Sequence, residues 1–253
     1  MFRDGKWKIW AALAGFASVV GFTLHQYQAT FALRPPAALQ IRDHHSQRIE
    51  GLRDPDSVWH VFRSLLREAR ASAESRSIEN YSASLIELQP NGNDAVFWWG
   101  ETVANPSFQS QSRVERQLWG EASHVLGYYP SDGVPLAYTS RKSPFDDRQL
   151  LVAVHMDAPI PECGTTFLFS RLLQPGVAQA NGLSTRTVGL GAMNQMADAV
   201  ELRAVVLPRR VSLVGYRPEA EAKVFTTPLT TIVWNSDAVK AQPAPLSVTF
   251  ATR

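Results

Sequence analysis

Residues 82–101 read SASLIELQPNGNDAVFWWGE, two apolar runs on either side of the turn sequence Pro90-Asn91-Gly92-Asn93. Asn-Gly between apolar runs is a strong signal for a β-hairpin, because both residues tolerate the positive φ angles of a tight turn. The stretch therefore predicts two antiparallel strands. In the second strand, Trp98 and Trp99 point to opposite faces if the strand persists. An outward ring is typical of a protein or ligand contact, and burial of both rings by a helix and the sheet is the alternative.

A helix is predicted immediately before this hairpin, from Asp54 to about Ala73. Asp54 suits the N-cap, and the proline that follows it suits the first helical position. One apolar stripe at helical spacing follows, formed by Val58, Val61, Phe62, Leu65, Leu66 and Ala69. We expect Phe62 to be buried under the sheet. Arg63, Arg67 and Arg70 form a basic row that we expect to stay exposed, either as a solvated face or as a contact with anionic lipid or an acidic partner.

A second helix is predicted over Ser112–Gly127, with the sequence SRVERQLWGEASHVLG. Ser112 and Glu115 have the spacing of a capping box, and Gly127 suits a C-terminal stop. The apolar stripe of this predicted helix consists of Val114, Leu118, Ala122 and Val125.

After Tyr128 the pattern changes to short β-rich runs separated by turn residues. They are VPLAYTS, QLLVAVHM, TTFLFSRLL, VELRAVVL, RVSLVGY, LTTIVWN and LSVTFAT. A short helix over Ala192–Val200 is predicted between two of them. Strand–helix repeats that build parallel sheets are missing from the pattern. The predicted fold class is therefore α+β, with two main helices packed on a mostly antiparallel sheet in one domain, residues 54–253.

The N-terminal residues predict a single transmembrane anchor over residues 9–31. Its centre, from Ile9 to Leu24, is sixteen residues without a charge. That is short of the roughly 20 residues that a spanning helix needs. Trp7, Trp10, Tyr27 and Phe31 supply aromatic flanks that extend it to one hydrocarbon thickness.

The charges around this anchor predict its orientation. Arg3, Lys6 and Lys8 favour a cytoplasmic tail over residues 1–8. A linker or stalk over residues 32–53 then leads to an extracytoplasmic domain, on the periplasmic side of the inner membrane. A signal peptide cleaved after Thr30-Phe31-Ala32 and a buried core helix are the alternatives. Small residues four apart could let two such anchors approach and form an oligomer: Ala11, Gly15, Ala17 and Gly21.

Composition excludes several classes of chemistry. The net charge of +2 argues against nucleic-acid binding, which needs a concentrated basic patch. The single cysteine, Cys163, forbids an intramolecular disulfide and a cysteine metal cluster. The sequence contains none of the common hydrolase, zinc-protease or phosphate-loop motifs. We expect neither a cofactor nor a metal.

His155 and Asp157 are the best catalytic candidates. They lie on the same side of a strand if that strand continues through them, as an acid and its orienting base or as two metal ligands would. The alternative is a strand end that enters a surface loop, which the prolines that follow favour.

The layout favours a non-enzymatic structural or assembly component of a bacterial-type envelope complex, of the secretion, conjugation or pilus kind. Its expected partners are the lipid bilayer and other envelope proteins. The alternatives are an anchored sensor or ligand-binding domain, and an envelope hydrolase centred on His155 and Asp157. All three hypotheses rest only on the arrangement of anchor, stalk and domain. Many unrelated proteins share this arrangement.

Overall fold

The computed structural model describes residues 41–119, 124–144, 146, 149–181, 184–191, 199–219, 222–235 and 245–252. In this part of the chain there is one helix, α1 (Val58–Glu74). The strands are β1 (Arg42–His45), β2 (Asn80–Leu88), β3 (Ala95–Ala104), β4 (Gln111–Trp119), β5 (His124–Tyr129), β6 (Ala137–Lys142), β7 (Gln149–Ile160), β8 (Thr165–Gln174), β9 (Gln179–Ala180), β10 (Thr185–Gly191), β11 (Ala199–Leu207), β12 (Val211–Arg217), β13 (Ala222–Phe225), β14 (Thr230–Asn235) and β15 (Leu246–Thr252).

The strands form three sheets. The central sheet has seven strands in the order β13-β14-β11-β2-β3-β8-β5. The β7 sheet has the order β1-β6-β7-β4, and the β15 sheet has the order β12-β15-β10-β9. Among these strands only β2 and β11 pair in parallel. A parallel pair needs a long connection, and here eight of these strands, β3 to β10, lie between β2 and β11 along the chain.

Both faces of the central sheet are buried, because its strands carry apolar side chains at odd and even positions. Leu85, Trp98 and Phe169 lie on the helix face, in one cluster with α1. On the opposite face the β15 sheet covers Ile86 and its neighbours, and the β7 sheet covers Val103. The molecule is thus layered as helix, central sheet, and two smaller sheets.

The predicted hairpin is confirmed as β2 and β3, which pair from Ser82↔Glu101 to Leu88↔Ala95. Gly92 takes φ +65° in the turn, which favours glycine. Asn91 Oδ1 accepts hydrogen bonds from the backbone N–H groups of Asn93 and Asp94, at 2.9 and 3.0 Å. The Asn91-Gly92 pair therefore forms the turn that the sequence predicts.

The first predicted helix is confirmed, although it begins at Val58 and not at Asp54. Ser57 is the N-cap, and Asp54 Oδ1 instead accepts a bond from the Asp56 N–H in the preceding turn. The buried stripe consists of Trp59, Phe62, Leu65, Leu66, Ala69 and Ala73. Phe62 is fully buried, as predicted.

The second predicted helix is wrong, and with it the fold class of two helices on a sheet. Residues 112–127 instead contribute β4, which pairs with β7, and β5, which pairs with β8. The error has a physical cause: Val114 and Leu118 are four apart, so they share one face of a helix and also one face of a strand. Val114 is buried between the β7 sheet, to which β4 belongs, and the central sheet. Pairing with β7 satisfies the backbone of β4.

The seven β-rich runs after Tyr128 are confirmed as β6, β7, β8, β11, β12, β14 and β15. Most of the predicted short helix, residues 192–198, lies outside the described residues, and its last two residues open β11. In the predicted linker, β1 pairs with β6, and His44 stacks on Tyr138 at 4.8 Å.

The transmembrane anchor is not supported by the structure. In the described ranges no helix has the length and apolar character that crossing a membrane requires. The predicted span itself, residues 9–31, lies outside the described residues, and so do Ala11, Gly15, Ala17 and Gly21.

Replacing Phe62 by alanine tests the packing of α1. The Phe62 ring lies 5.5 Å from that of Trp98 and 5.2 Å from that of Phe169. Its loss leaves a cavity, so Phe62→Ala should lower the free energy of unfolding by about 3–5 kcal/mol in urea denaturation. Phe108 is 83% exposed, and the control Phe108→Ala should stay within about 0.5 kcal/mol of wild type. Equal losses in the two variants would contradict this packing.

Candidate functional site

A pocket of about 220 Å³ lies where the solvent edge of α1 meets the central sheet. We call it the arginine pocket. Its lining residues are Arg63, Leu66, Arg67, Arg70, Tyr81, Ser131 and Phe167. The helix supplies four of them, β2 and β8 supply one each, and the loop after β5 supplies the serine. The pocket therefore brings together residues that lie up to 104 positions apart in the chain.

Two stacked rings form the apolar side of the arginine pocket. Tyr81 and Phe167 lie 5.7 Å apart at an interplanar angle of 10°. Burial raises the pKa of Tyr81, while the charge of Arg70 acts in the opposite direction. The Tyr81 hydroxyl is therefore held neutral at neutral pH, as a polar edge on an aromatic surface.

Gly100 makes room for this arrangement. It lies on β3 between Ala83 and Phe169 of the neighbouring strands. A Cβ at this position would stand 2.5 Å from Cζ of Phe167, closer than side chains pack. The glycine that follows the two tryptophans thus allows the Phe167 ring to lie against the sheet. Glycine inside a strand indicates such a close approach, so Gly100 was a sequence signal for the aromatic side of the pocket, beside the arginine row.

The three arginines of the predicted basic row line one side of the pocket and are exposed, as expected. Arg70 Nε donates to Glu74 Oε1 at 2.7 Å, and Arg67 donates to Ser64 Oγ at 3.3 Å. Arg63 has neither a hydrogen bond nor an ion pair with any residue that the structure describes. Two of the three guanidinium charges therefore face solvent without a carboxylate, which suits an anionic group.

Trp98 is part of the core and is 2% exposed. Its Nε1 donates to Glu87 Oε2 at 2.9 Å, and the guanidinium carbon of Arg171 lies 4.5 Å from its ring centroid. Burial raises the pKa of Glu87, against the opposing effects of the Trp98 hydrogen bond and the Arg171 charge. The indole thus links a carboxylate and a guanidinium at the border of the core, and it is not available for a partner.

Trp99 points to the face opposite α1, and its side chain is 40% exposed. It stands between Ser84 of β2 and Ser170 of β8. The two tryptophan side chains therefore point to opposite faces of the sheet, as the sequence predicts for a continuous strand. Of the two rings, only that of Trp99 is accessible to a partner.

His155 and Asp157 both lie on β7, and both are exposed. His155 lines a second cavity of about 420 Å³ on the outer face of the β7 sheet, together with Arg113, Glu115 and Arg141 among others. Asp157 is outside this lining. It belongs to residues 156–159, which have no partner on β4, since the pairing jumps from Arg113↔His155 to Gln111↔Ile160. The structure does not join the two candidates by a hydrogen bond. In the described ranges no group of His, Cys, Asp and Glu has a metal-binding arrangement.

Comparisons with known proteins do not assign a family. No family model and no curated protein matches the chain. A solved protein of Legionella pneumophila, described as a candidate nutrient-binding protein, is 10% identical with a TM-score of 0.41, over 68% of this chain and 66% of that one. The M1 zinc metallopeptidase of Deinococcus radiodurans is 13% identical with a TM-score of 0.39, over 68% of this chain and 41% of that one. The chain spans less than two thirds of either structure, and likeness at these TM-scores carries no argument about function.

The raised pKa of Glu87 predicts a pH dependence of stability. The folded protein holds this proton more tightly than the unfolded chain, so the contribution is fully present below the unfolded pKa and is lost as pH rises through the folded pKa. Glu87→Gln keeps an acceptor for Trp98 Nε1 but does not titrate. Between about pH 4 and about pH 7, the melting temperature of wild type should therefore fall relative to that of Glu87→Gln. The control Glu162→Gln, on an exposed loop, should follow wild type. A constant difference for Glu87→Gln would contradict the burial argument.

Gly100→Ala tests the origin of the arginine pocket. The added methyl group collides with Phe167, so overpacking should cost roughly 1–3 kcal/mol of unfolding free energy. Gly215→Ala on β12 is the matched control, because a Cβ there meets no atom within 4 Å. It should be neutral in the same denaturation experiment. A neutral Gly100→Ala would mean that Phe167 does not need this space.

Proposed function

We propose that the protein is a non-enzymatic assembly component that docks an acidic region of a partner protein through Arg63, Arg67 and Arg70. The observation that carries the proposal is the arginine pocket: three exposed guanidinium groups beside an aromatic surface, with only Arg70 paired to a carboxylate. Arginine and aromatic residues are the types that dominate protein–protein hot spots.

The size of the pocket supports docking over the binding of a metabolite. At about 220 Å³ it is smaller than the roughly 300–1,000 Å³ of sites that enclose a drug-sized ligand. It accepts one side chain of a partner, around which the exposed face of α1 supplies further contact area. The kind of complex, for which the sequence favours an envelope machine, stays a prediction.

The lack of a hydrogen bond between His155 and Asp157, both on β7, also favours a binding role. A general base needs a partner that orients it, and a nucleophile needs a base within hydrogen-bond reach. His155 faces Arg113 across the β4–β7 ladder and makes no hydrogen bond to any described residue. A hydrolase built on this pair lacks the supporting contact that its chemistry requires.

A ligand-binding domain is the second candidate function. It is favoured by the cavity of about 420 Å³ beside His155, whose volume lies in the range of small-molecule sites. Arg113 in this cavity is paired with Glu115 at 3.1 Å, and Arg116 with Glu101 at 2.9 Å. Most of its cations are thus already neutralised, which makes it a weaker anion site than the arginine pocket.

Affinity purification with a charge-matched pair of variants tests the docking role. Arg63→Gln/Arg67→Gln/Arg70→Gln should keep the wild-type melting temperature, because exposed arginines contribute little to stability. It should lose a stoichiometric partner, identified by mass spectrometry, that wild type retains and that rebinds as a purified protein. The control Arg48→Gln/Arg209→Gln/Arg210→Gln removes the same charge at exposed positions outside the pocket and should keep that partner. A partner retained by both triple variants would refute the proposal.

A further inference from the structure

The arginine pocket has a floor as well as a charged rim, and the floor restricts what the partner can insert. Leu66 and the Tyr81–Phe167 stack provide an apolar and aromatic surface that three exposed guanidinium groups border on the helix side only. A carboxylate alone would satisfy the rim and leave this surface in water. An aromatic ring covers it in the offset geometry that aromatic pairs prefer.

The spacing of the rim also restricts the partner. Arg63 and Arg70 are seven residues apart on α1, so their Cα atoms lie about 10.5 Å apart along the helix axis. An extended peptide rises about 3.3 Å per residue. The row therefore spans about three residue steps of an extended segment. In such a segment the side chains two positions before and two positions after a central residue point to the same side as that residue and lie about 13 Å apart, so long arginine side chains can reach acidic residues at both positions.

We propose, on the basis of the docking function above, that the arginine pocket binds an extended acidic segment through one aromatic anchor. The aromatic side chain inserts between the rim and Phe167 and stacks on the Phe167 face. Carboxylates on the two sides of the anchor pair with Arg63 and Arg70, the latter exchanging its intramolecular partner Glu74 for the ligand. Arg67 lies between them and contributes its charge to whichever carboxylate is nearer.

Gly100 and the arginine row contribute to the same site in different ways, because Gly100 leaves room for the Phe167 ring and the arginines supply the charge. The row alone would attract any acidic surface, at a rate that salt would reduce. The floor adds selection, because a segment without a large apolar side chain leaves the pocket unfilled. The specificity of the site is therefore assigned to Phe167 and Gly100, and its electrostatic attraction to the helix.

Fluorescein-labelled peptides of the form Gly-Asp-Asp-X-Asp-Asp-Gly test the proposal by fluorescence anisotropy with the purified chain. The peptide with X = Phe should bind, and the peptide with X = Ala should bind at least tenfold more weakly. A Lys-Lys-Phe-Lys-Lys peptide should not bind. The Arg63→Gln/Arg67→Gln/Arg70→Gln variant should lose the Phe peptide, and the Arg48→Gln/Arg209→Gln/Arg210→Gln variant should keep it.

Changes to the floor separate the anchor from the charge. Phe167→Leu keeps an apolar residue but removes the stack with Tyr81, so it should weaken the Phe peptide at least fivefold and leave the Ala peptide unchanged. Circular dichroism and the melting temperature establish that the variant is folded. Gly100→Ala should act in the same direction, because the added methyl group displaces the Phe167 ring.

Each contrary result points to a different error. Equal affinity for the Phe and Ala peptides, with both lost in the arginine variant, would overturn the aromatic anchor and leave the docking function intact. If the arginine variant still binds the Phe peptide, the arginine pocket is not the binding site of this peptide. If no peptide binds up to about 1 mM, a very weak affinity, while the purified partner still depends on the arginine row, the anchor proposal alone fails. If the purified partner binds the arginine variant as well as it binds wild type, the docking function itself is refuted.

Discussion

The contact of Phe62 with Trp98 and Phe169 is the interaction on which the rest of the structure depends. It seats the only helix of the described chain on the middle of the central sheet. Successive helical residues are turned by about 100°, so burial of Phe62 sends Arg63 toward the edge of the interface. The buried stripe and the charged rim of the pocket are thus two consequences of one docking geometry.

Residues 98–100 illustrate how one short stretch serves both faces of a sheet. Trp98 fills the helix face, and its indole N–H donates to the partly buried carboxyl group of Glu87. Trp99 emerges on the other face, where it is partly exposed. Gly100 contributes only space, and the Phe167 ring occupies it. Side-chain alternation along the strand is sufficient to explain all three roles.

Side-chain periodicity explains both the strand predictions that were correct and the helix prediction that was wrong. Strand runs with a clear turn on each side were predicted correctly, since β-branched and aromatic residues between turn residues have few other interpretations. Residues 112–127 were predicted as a helix because Val114 and Leu118 fit either period. The strand β7 decided between the two periods, because it pairs with β4 in an antiparallel ladder from Arg113 to Trp119. No residue within the segment itself records that partner, because each residue of β4 pairs with a residue of β7 that lies 30 or more positions further along the chain.

The sequence by itself determined the β2–β3 hairpin, the buried and exposed sides of α1 and the exposure of the arginine row, because each depends on local spacing and on the cost of burying charge. Only the tertiary structure decided that the arginines face an aromatic floor. Tyr81 and Phe167 lie on strands separated by β3, and they stack across Gly100 once the sheet has formed. Their contact comes from the order of strands in a sheet, which hydrogen-bond pairing between distant segments selects and local periodicity does not encode.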